Sequence, residues 1–297
     1  GASIGTIKMR PDAGEEYINQ CIRTVDVDLS GLKLVVDCAE GAASYTAVEA
    51  FRQLQADVIP IHNNPDGINI NAGCGSTHME ELRARVIAEN ADIGIAFDGD
   101  ADRFLAVDEK GNYVDGDQIM ALVGKYLRGK GRLNGDYIVV TVMSNLGFLK
   151  MAEREGIKVN QTKVGDRYVL ENMKEHGYSL GGEQSGHIIF LDETTTGDGL
   201  LSALHTLQVM VESGKPLSEL ASVMTVMPQA LVNAKVPNHK KESYMDYPEI
   251  KEGIEAIEKK FAGNGRVLIR PSGTEPLVRV MIEGQNLEEI QAEAEKL

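Results

Sequence analysis

The hexapeptide Asp98-Gly99-Asp100-Ala101-Asp102-Arg103 sets three carboxylates at alternate positions and follows them directly with a guanidinium. Carboxylates held this close repel one another unless a cation lies among them, and a small hard divalent ion such as Mg²⁺ takes oxygen ligands of this kind. Asp98, Asp100 and Asp102 are therefore candidate metal ligands, with Gly99 giving the tight backbone geometry that lets them converge. Arg103 has the wrong charge for a ligand, but its planar fork suits a phosphate held beside the metal. Two other readings stand next to this one. An EF-hand-type Ca²⁺ loop would use Asp98, Asp100, Asp102 and Glu109, although Arg103 falls where that loop needs glycine and the flanks look like strands. A solvated acidic turn is the ordinary fate of an Asp-Gly-Asp segment.

Three further loops carry groups that match one kind of ligand. Arg270-Pro271-Ser272-Gly273-Thr274 combines a fixed φ, a glycine that permits close approach, two hydroxyls and a guanidinium, which together make an oxyanion cradle for a phosphate monoester. A capped β-turn between strands is the alternative. Glu183-Gln184-Ser185-Gly186-His187 offers an acceptor, an amide, a hydroxyl and an imidazole, a mixture suited to sugar hydroxyls. His187 could also move a proton, or be no more than a hydrogen-bonded residue at a strand edge. Gly165-Asp166-Arg167 could contact a polyol or phosphate, or be an N-cap Asp with a surface Arg. Ser76, His62 and His78 lie near turns or a helix start, where capping explains them.

The elements that must position these loops alternate in kind. Apolar spacing predicts a helix over 14–25, a strand over 32–37, a helix over 44–54 and a strand over 58–61. Thr77 and Glu80 read as a capping box for a helix to about Glu89. Residues 92–97 and 104–107 read as strands flanking the acidic hexapeptide. A second unit of similar size and element order runs from Gly116, with strands near 137–142 and 157–164, the apolar run 188–191, and a long helix opened by Thr196-Gly197-Asp198. Past Pro228 come a strand, a charged helix, two strands and a closing amphipathic helix. The fold class expected is α/β: two consecutive α/β domains with mixed sheets over 1–115 and 116–227, plus a small C-terminal α+β domain over 228–297.

Composition narrows the partners. Forty-five acidic against thirty basic residues give a formal charge of −15, which argues against nucleic acid or an anionic membrane. An anionic substrate then needs local positive charge from the loop arginines. Cys21, Cys38 and Cys74 are odd in number and show no metal spacing, and no segment reads as a signal peptide or membrane span, so a cytoplasmic setting is expected. The start at Gly1-Ala2-Ser3 hints at a fragment.

Taken together, Asp98 to Arg103, Gly182-Glu183-Gln184-Ser185-Gly186-His187 and Arg270-Pro271-Ser272-Gly273-Thr274-Glu275-Pro276 resemble the metal, sugar and phosphate loops of the α-D-phosphohexomutases, in that family's order. Val164 to Tyr168, Pro65-Asp66-Gly67 with Asn69-Ile70-Asn71, and Val114 to Ile119 resemble the branch that handles phosphorylated amino sugars. Ala101 stands where glycine is more usual, a change that need not disturb the carboxylates.

What the resemblance implies is an intramolecular phosphotransferase. Asp98, Asp100 and Asp102 would hold Mg²⁺ against a phosphoserine, and Arg103 would assist there. Glu183 and Ser185 would grip the sugar with His187 beside them, and Gly165, Asp166 and Arg167 would add contacts. Arg270, Ser272, Gly273 and Thr274 would anchor the phosphate that is not reacting. A bisphosphorylated sugar would be intermediate and activator, and the resemblance allows a homodimer for the full-length protein. The family's Thr-Ala-Ser-His-Asn-Pro-like loop has no counterpart in this sequence, so the chain is expected to correspond to the second, third and fourth family domains and to turn over nothing by itself. A metal-dependent phosphatase using an Asp of the acidic loop, and a non-catalytic sugar-phosphate sensor, are the competing functions.

Overall fold

The structure, a computed structural model, describes residues 5–273 and 275–297; Gly1-Ala2-Ser3 and Thr274 lie outside the described residues. In chain order the first elements are α1 (Ala13–Ile22), β1 (Lys33–Asp37), α2 (Ala43–Gln53), β2 (Asp57–Ile61), α3 (Glu80–Glu89), β3 (Ile93–Phe97), β4 (Phe104–Asp108) and β5 (Tyr113–Val114). Then come α4 (Gly116–Gly129), β6 (Tyr137–Thr141), α5 (Leu146–Glu155), β7 (Lys158–Thr162), α6 (Asp166–His176), β8 (Leu180–Gly182), β9 (Ile188–Phe190), α7 (Gly199–Ser213) and α8 (Leu217–Ala221). The last are β10 (Gln229–Lys235), α9 (Pro248–Phe261), β11 (Arg266–Pro271), β12 (Leu277–Glu283) and α10 (Leu287–Lys296). Two compact units result among the described residues, one running up to residue 144 and over 151–224, the other made of 145–150 and the segment from 225 on.

The first unit holds two mixed sheets. One has the order β2-β1-β3-β4-β5 and the other β7-β6-β8-β9. In each, three parallel strands are followed by an antiparallel one, with registers Leu34↔Ile93 and Phe97↔Phe104 in the first and Ile138↔Leu180 and Gly182↔Ile188 in the second. Leu34, Val35 and Val36 are fully buried and β3 is buried along its whole length. Such unbroken apolar runs belong to parallel strands covered on both faces, and Leu82 and Val86 of α3 supply one cover. Helix α7 is buried on every side from Gly199 to Met210, which fits its contacts with both β4 and β9. As the sequence implies, Asp198 opens it, accepting the Leu201 N–H at 2.9 Å, and Tyr17 of α1 donates its hydroxyl to the same carboxylate at 2.9 Å.

One helix start differs from expectation. Thr77 and Glu80 form no capping box: Thr77 belongs to a short 3₁₀ turn and its hydroxyl lies 3.1 Å from His78 Nδ1, while α3 begins at Glu80 behind Met79. The capping box sits instead at α4, where the Asp115 side chain accepts from Gln118 N at 3.0 Å and the Gln118 side chain accepts from Asp115 N at 3.2 Å.

In the second unit β12 lies between β10 and β11, all antiparallel, and α9 and α10 cover one face through Ile257, Ile290 and Ala294 packed on Ala230, Val280 and Ile282. Fully buried Glu283 accepts from Arg266 Nε at 2.5 Å, Gln229 Nε2 at 2.7 Å and Leu146 N at 3.0 Å, so its charge is met from three sides. No helix among the described residues is long and apolar enough to cross a membrane.

Candidate functional site

The acidic hexapeptide is the turn of the β3–β4 hairpin, and its geometry follows from a few close approaches. Gly99 lacks the room for a side chain: a Cβ there would come within 2.7 Å of Asn71 Nδ2 and of the Ile70 side chain, and its carbonyl accepts from Ala42 N at 2.9 Å. Ala101 takes the left-handed conformation, φ +61°, which glycine adopts freely and alanine at a cost of roughly 1–2 kcal/mol. The carboxylates converge all the same, with one oxygen each from Asp98, Asp100 and Asp102 within 4.8 Å of one another. Asp98 is half-buried and Asp100 exposed. Burial, followed by the neighbouring Asp102 and Asp100 charges, pushes Asp98 up to about 6, against the pull of its hydrogen bond from Arg103 N at 3.1 Å. A cation placed among these oxygens would reverse that balance, so the arrangement fits a hard divalent ion.

The sugar-type loop, Glu183 to His187, is the turn of the β8–β9 hairpin and lies against the acidic one. Arg103 pairs with His187 as an isolated antiparallel bridge, and Phe104 N donates to Gly186 O at 3.1 Å. Gly186 has φ +93°, and a Cβ on it would sit 2.4 Å from Phe104 O, so this contact requires glycine twice over. The buried His187 ring stands with Nε2 3.6 Å from Asp102 Oδ2, backed by Gly197, where a Cβ would lie 2.4 Å from the imidazole. Arg103 Nε is 3.7 Å from both Asp98 Oδ2 and Asp102 Oδ1 and makes no hydrogen bond. The Ser185 hydroxyl and His187 Nδ1 are buried without hydrogen-bond partners. Buried polar atoms are seldom left unsatisfied, so these three point to a ligand.

Glu183 reaches the third loop: its Oε1 accepts from Gly165 N at 3.2 Å. Gly165, φ +129°, is the N-cap of α6, so Asp166 is the first helical residue and no N-cap; Arg167 is exposed and paired with Glu171 at 2.7 Å. Gln184 donates its side-chain amide to Asp115 Oδ2 at 3.1 Å. His62 is not a cap either, since its ring lies between Asp37 and Glu81.

In the second unit Arg270 and Pro271 end β11, and Ser272 opens the link to β12. Ser272 N donates to Leu277 O at 2.9 Å and its hydroxyl accepts from Glu275 N at 3.1 Å, so the segment is a capped turn as well as a candidate cradle. Around Gly273 a Cβ would meet nothing within 4 Å, which leaves the backbone open to a ligand. Two cations escape sequence reasoning here. Lys241 Nζ bonds Ser272 O, and Arg279 faces Arg270 across the strand pair. Like charges directly opposite are unfavourable unless an anion or a carboxylate joins them, and Glu275 lies 3.2 Å from Arg279.

Comparisons with known proteins agree along the chain. The family models for phosphoglucomutase/phosphomannomutase alpha/beta/alpha domain II, alpha/beta/alpha domain III and C-terminal domain match residues 15–111, 115–227 and 231–297. A phosphoglucosamine mutase of Clostridium acetobutylicum is 58% identical over 286 residues, covering 96% of this chain and 64% of that protein. One from Ruminiclostridium cellulolyticum is 57% identical over 297 residues, with 100% and 66% covered. The chain thus spans about two thirds of the length of these relatives. Among solved structures, a phosphoglucomutase/phosphomannomutase family protein from Burkholderia thailandensis superposes with a TM-score of 0.77 at 23% identity, covering 96% of this chain and 63% of that one. Aspergillus fumigatus N-acetylphosphoglucosamine mutase, in complex with GlcNAc-6P and magnesium, gives 0.73 at 20% identity, with 95% and 62% covered. With three family models lying end to end over nearly all its residues, the chain belongs to the phosphoglucomutase/phosphomannomutase family.

Proposed function

We propose that this chain is the metal-, sugar- and phosphate-binding part of a phosphoglucosamine mutase, which interconverts glucosamine 6-phosphate and glucosamine 1-phosphate by way of a phosphoserine and a bisphosphorylated sugar. The observation that carries the reading is the meeting of Asp98, Asp100 and Asp102 on a loop bridged through Arg103 to His187. The amino-sugar assignment is supported by relatives of that name at 57–58% identity.

Asp98, Asp100 and Asp102 would hold Mg²⁺, which supplies a positive charge that offsets repulsion between phosphate and an incoming anion. Arg103, with its Nε free of hydrogen bonds, adds a guanidinium to the same oxyanion. Glu183 and Ser185 orient the sugar hydroxyls, and His187 holds or moves a proton at Nδ1. Gly165, Asp166 and Arg167 bound the sugar on the Glu183 side. Arg270, Ser272, Gly273 and Thr274 hold the distal phosphate, with Lys241 fixing the Ser272 carbonyl. The three-domain division at 115/116 and 227/228, a homodimeric full-length enzyme and a cytoplasmic setting belong to the same proposal.

The test is a titration of the 297-residue polypeptide with glucosamine 6-phosphate and Mg²⁺, beside mannose 6-phosphate and glucose 6-phosphate. Tighter binding of the amino sugar supports the reading; a preference for mannose or glucose favours a phosphomannomutase or phosphoglucomutase. With a bisphosphate primer added, this polypeptide is expected to form no glucosamine 1-phosphate, and sustained turnover would show that the catalytic serine lies within it.

A further inference from the structure

Asp37, His62 and Cys74 lie far apart in sequence, at the end of β1, directly after β2 and in the segment before α3. Each offers one ligand atom, and the three atoms lie within 4.8 Å of one another. We propose that they form a second metal site, for a borderline divalent ion of the zinc class, separate from the carboxylate loop.

The donor set decides the class of ion. One carboxylate oxygen, one imidazole nitrogen and one thiolate are ligands that Zn²⁺ takes together, whereas Mg²⁺ does not take sulfur. Burial makes the trio a built site: Asp37 is fully buried and Cys74 is 1% exposed. His62 Nδ1 is buried too and lies 3.1 Å from Asp37 Oδ2. The other ring nitrogen, Nε2, lies 3.3 Å from Glu81 Oε2, the outer partner that orients a ligating imidazole.

Asp37 is itself held by Ala39 N and Gly75 N, each at 2.9 Å, which leaves lone pairs on both oxygens for a metal. His62 has φ +46°, a conformation that costs a non-glycine residue about 1–3 kcal/mol and that keeps its ring over the trio. Zinc bonds of about 2.0–2.3 Å put ligand atoms roughly 3.3–3.8 Å apart in a tetrahedron, so small side-chain adjustments bring these three atoms to bonding distance. Contacts of the His62 ring with Asp37 and Glu81 would account for His62 but give Cys74 no part.

The consequence is mechanical. Asn71 N donates to Ala39 O and Ala42 N donates to Gly99 O, both at 2.9 Å, so an ion on this trio clamps the segments on which the acidic turn rests. The chain, stripped of metal and kept reduced, is titrated with Co²⁺ in excess Mg²⁺ and followed by absorbance. One equivalent with a thiolate-to-cobalt charge-transfer band is expected, displaced by Zn²⁺. Asp100→Asn should keep the band, Cys74→Ser should remove it, and Glu81→Gln should weaken cobalt binding roughly 10–100-fold. No band in the folded chain, or a band that survives Cys74→Ser, overturns the proposal. If Cys74→Ser does not fold, unchanged affinity in Glu81→Gln overturns it instead.

Discussion

The β3–β4 and β8–β9 hairpins occupy the same place in two sheets whose first four strands share one order, yet one turn carries three carboxylates and the other a carboxylate, an amide, a hydroxyl and an imidazole. Each sheet delivers its third strand, buried and parallel, to an edge where the chain must reverse. What is bound there is decided by a handful of side chains, while the scaffold repeats. The turns also solve their backbone problems differently. The second has glycine at its left-handed position, Gly186, and the first has alanine, Ala101.

The sharpest way to break this comparison is Gly186→Ala, which forces a Cβ to within 2.4 Å of Phe104 O. A loss of about 3 kcal/mol or more in denaturant unfolding is expected, with loosening of the Arg103–His187 bridge; a loss under about 1 kcal/mol would mean the two turns are not braced against each other. Next, Asp98→Asn with Asp100→Asn should weaken Mg²⁺ binding roughly 100-fold, or about 2.7 kcal/mol, by calorimetry. Glu183→Gln in the other hairpin should leave Mg²⁺ binding unchanged and weaken phosphosugar binding about tenfold.

Acid should separate the two regions by sign. Beside the second hairpin, His205 stacks on Phe190 with ring centroids 4.2 Å apart, and burial lowers its pKa from 6.5 to about 4. The unfolded chain binds that proton more tightly, so stability is present above pH 6.5 and is lost as pH falls toward 4, by roughly 3 kcal/mol. His205→Phe should flatten that limb. Asp98 works the other way in metal-free protein: its carboxyl is raised from 3.8 to about 6, so the folded state holds the proton more tightly and stability declines as pH rises between those values. Asp98→Asn should remove that decline, and Mg²⁺ should mask it. The smallest effect is Ala101→Gly, a gain of about 1 kcal/mol read as a rise in thermal midpoint, against the loss at Gly186.

Much of this was legible from residue types alone. Alternating carboxylates between two apolar runs identify a hairpin turn, and Asp198 before a long apolar segment identifies the start of α7, because both signals are local. The misplaced cap at Thr77 shows the limit: a Thr-x-x-Glu spacing was present, but a 3₁₀ turn at Gly75–Thr77 delays the helix. The true capping box, Asp115 with Gln118, had an equally plain local signature. Lys241 and Arg279 could not be seen without the strand register that sets Arg279 opposite Arg270. Asp37, His62 and Cys74 have no sequence spacing at all, since only the sheet brings them together.

Helix α7 has one further implication. Buried around its whole circumference from Gly199 to Met210 and touching a strand from each sheet of the first unit, it would be exposed to water along one side if either sheet melted alone. Residues of both sheets should therefore lose hydrogen-exchange protection in a single cooperative opening, and a protease should find no stable intermediate in which one sheet outlives the other.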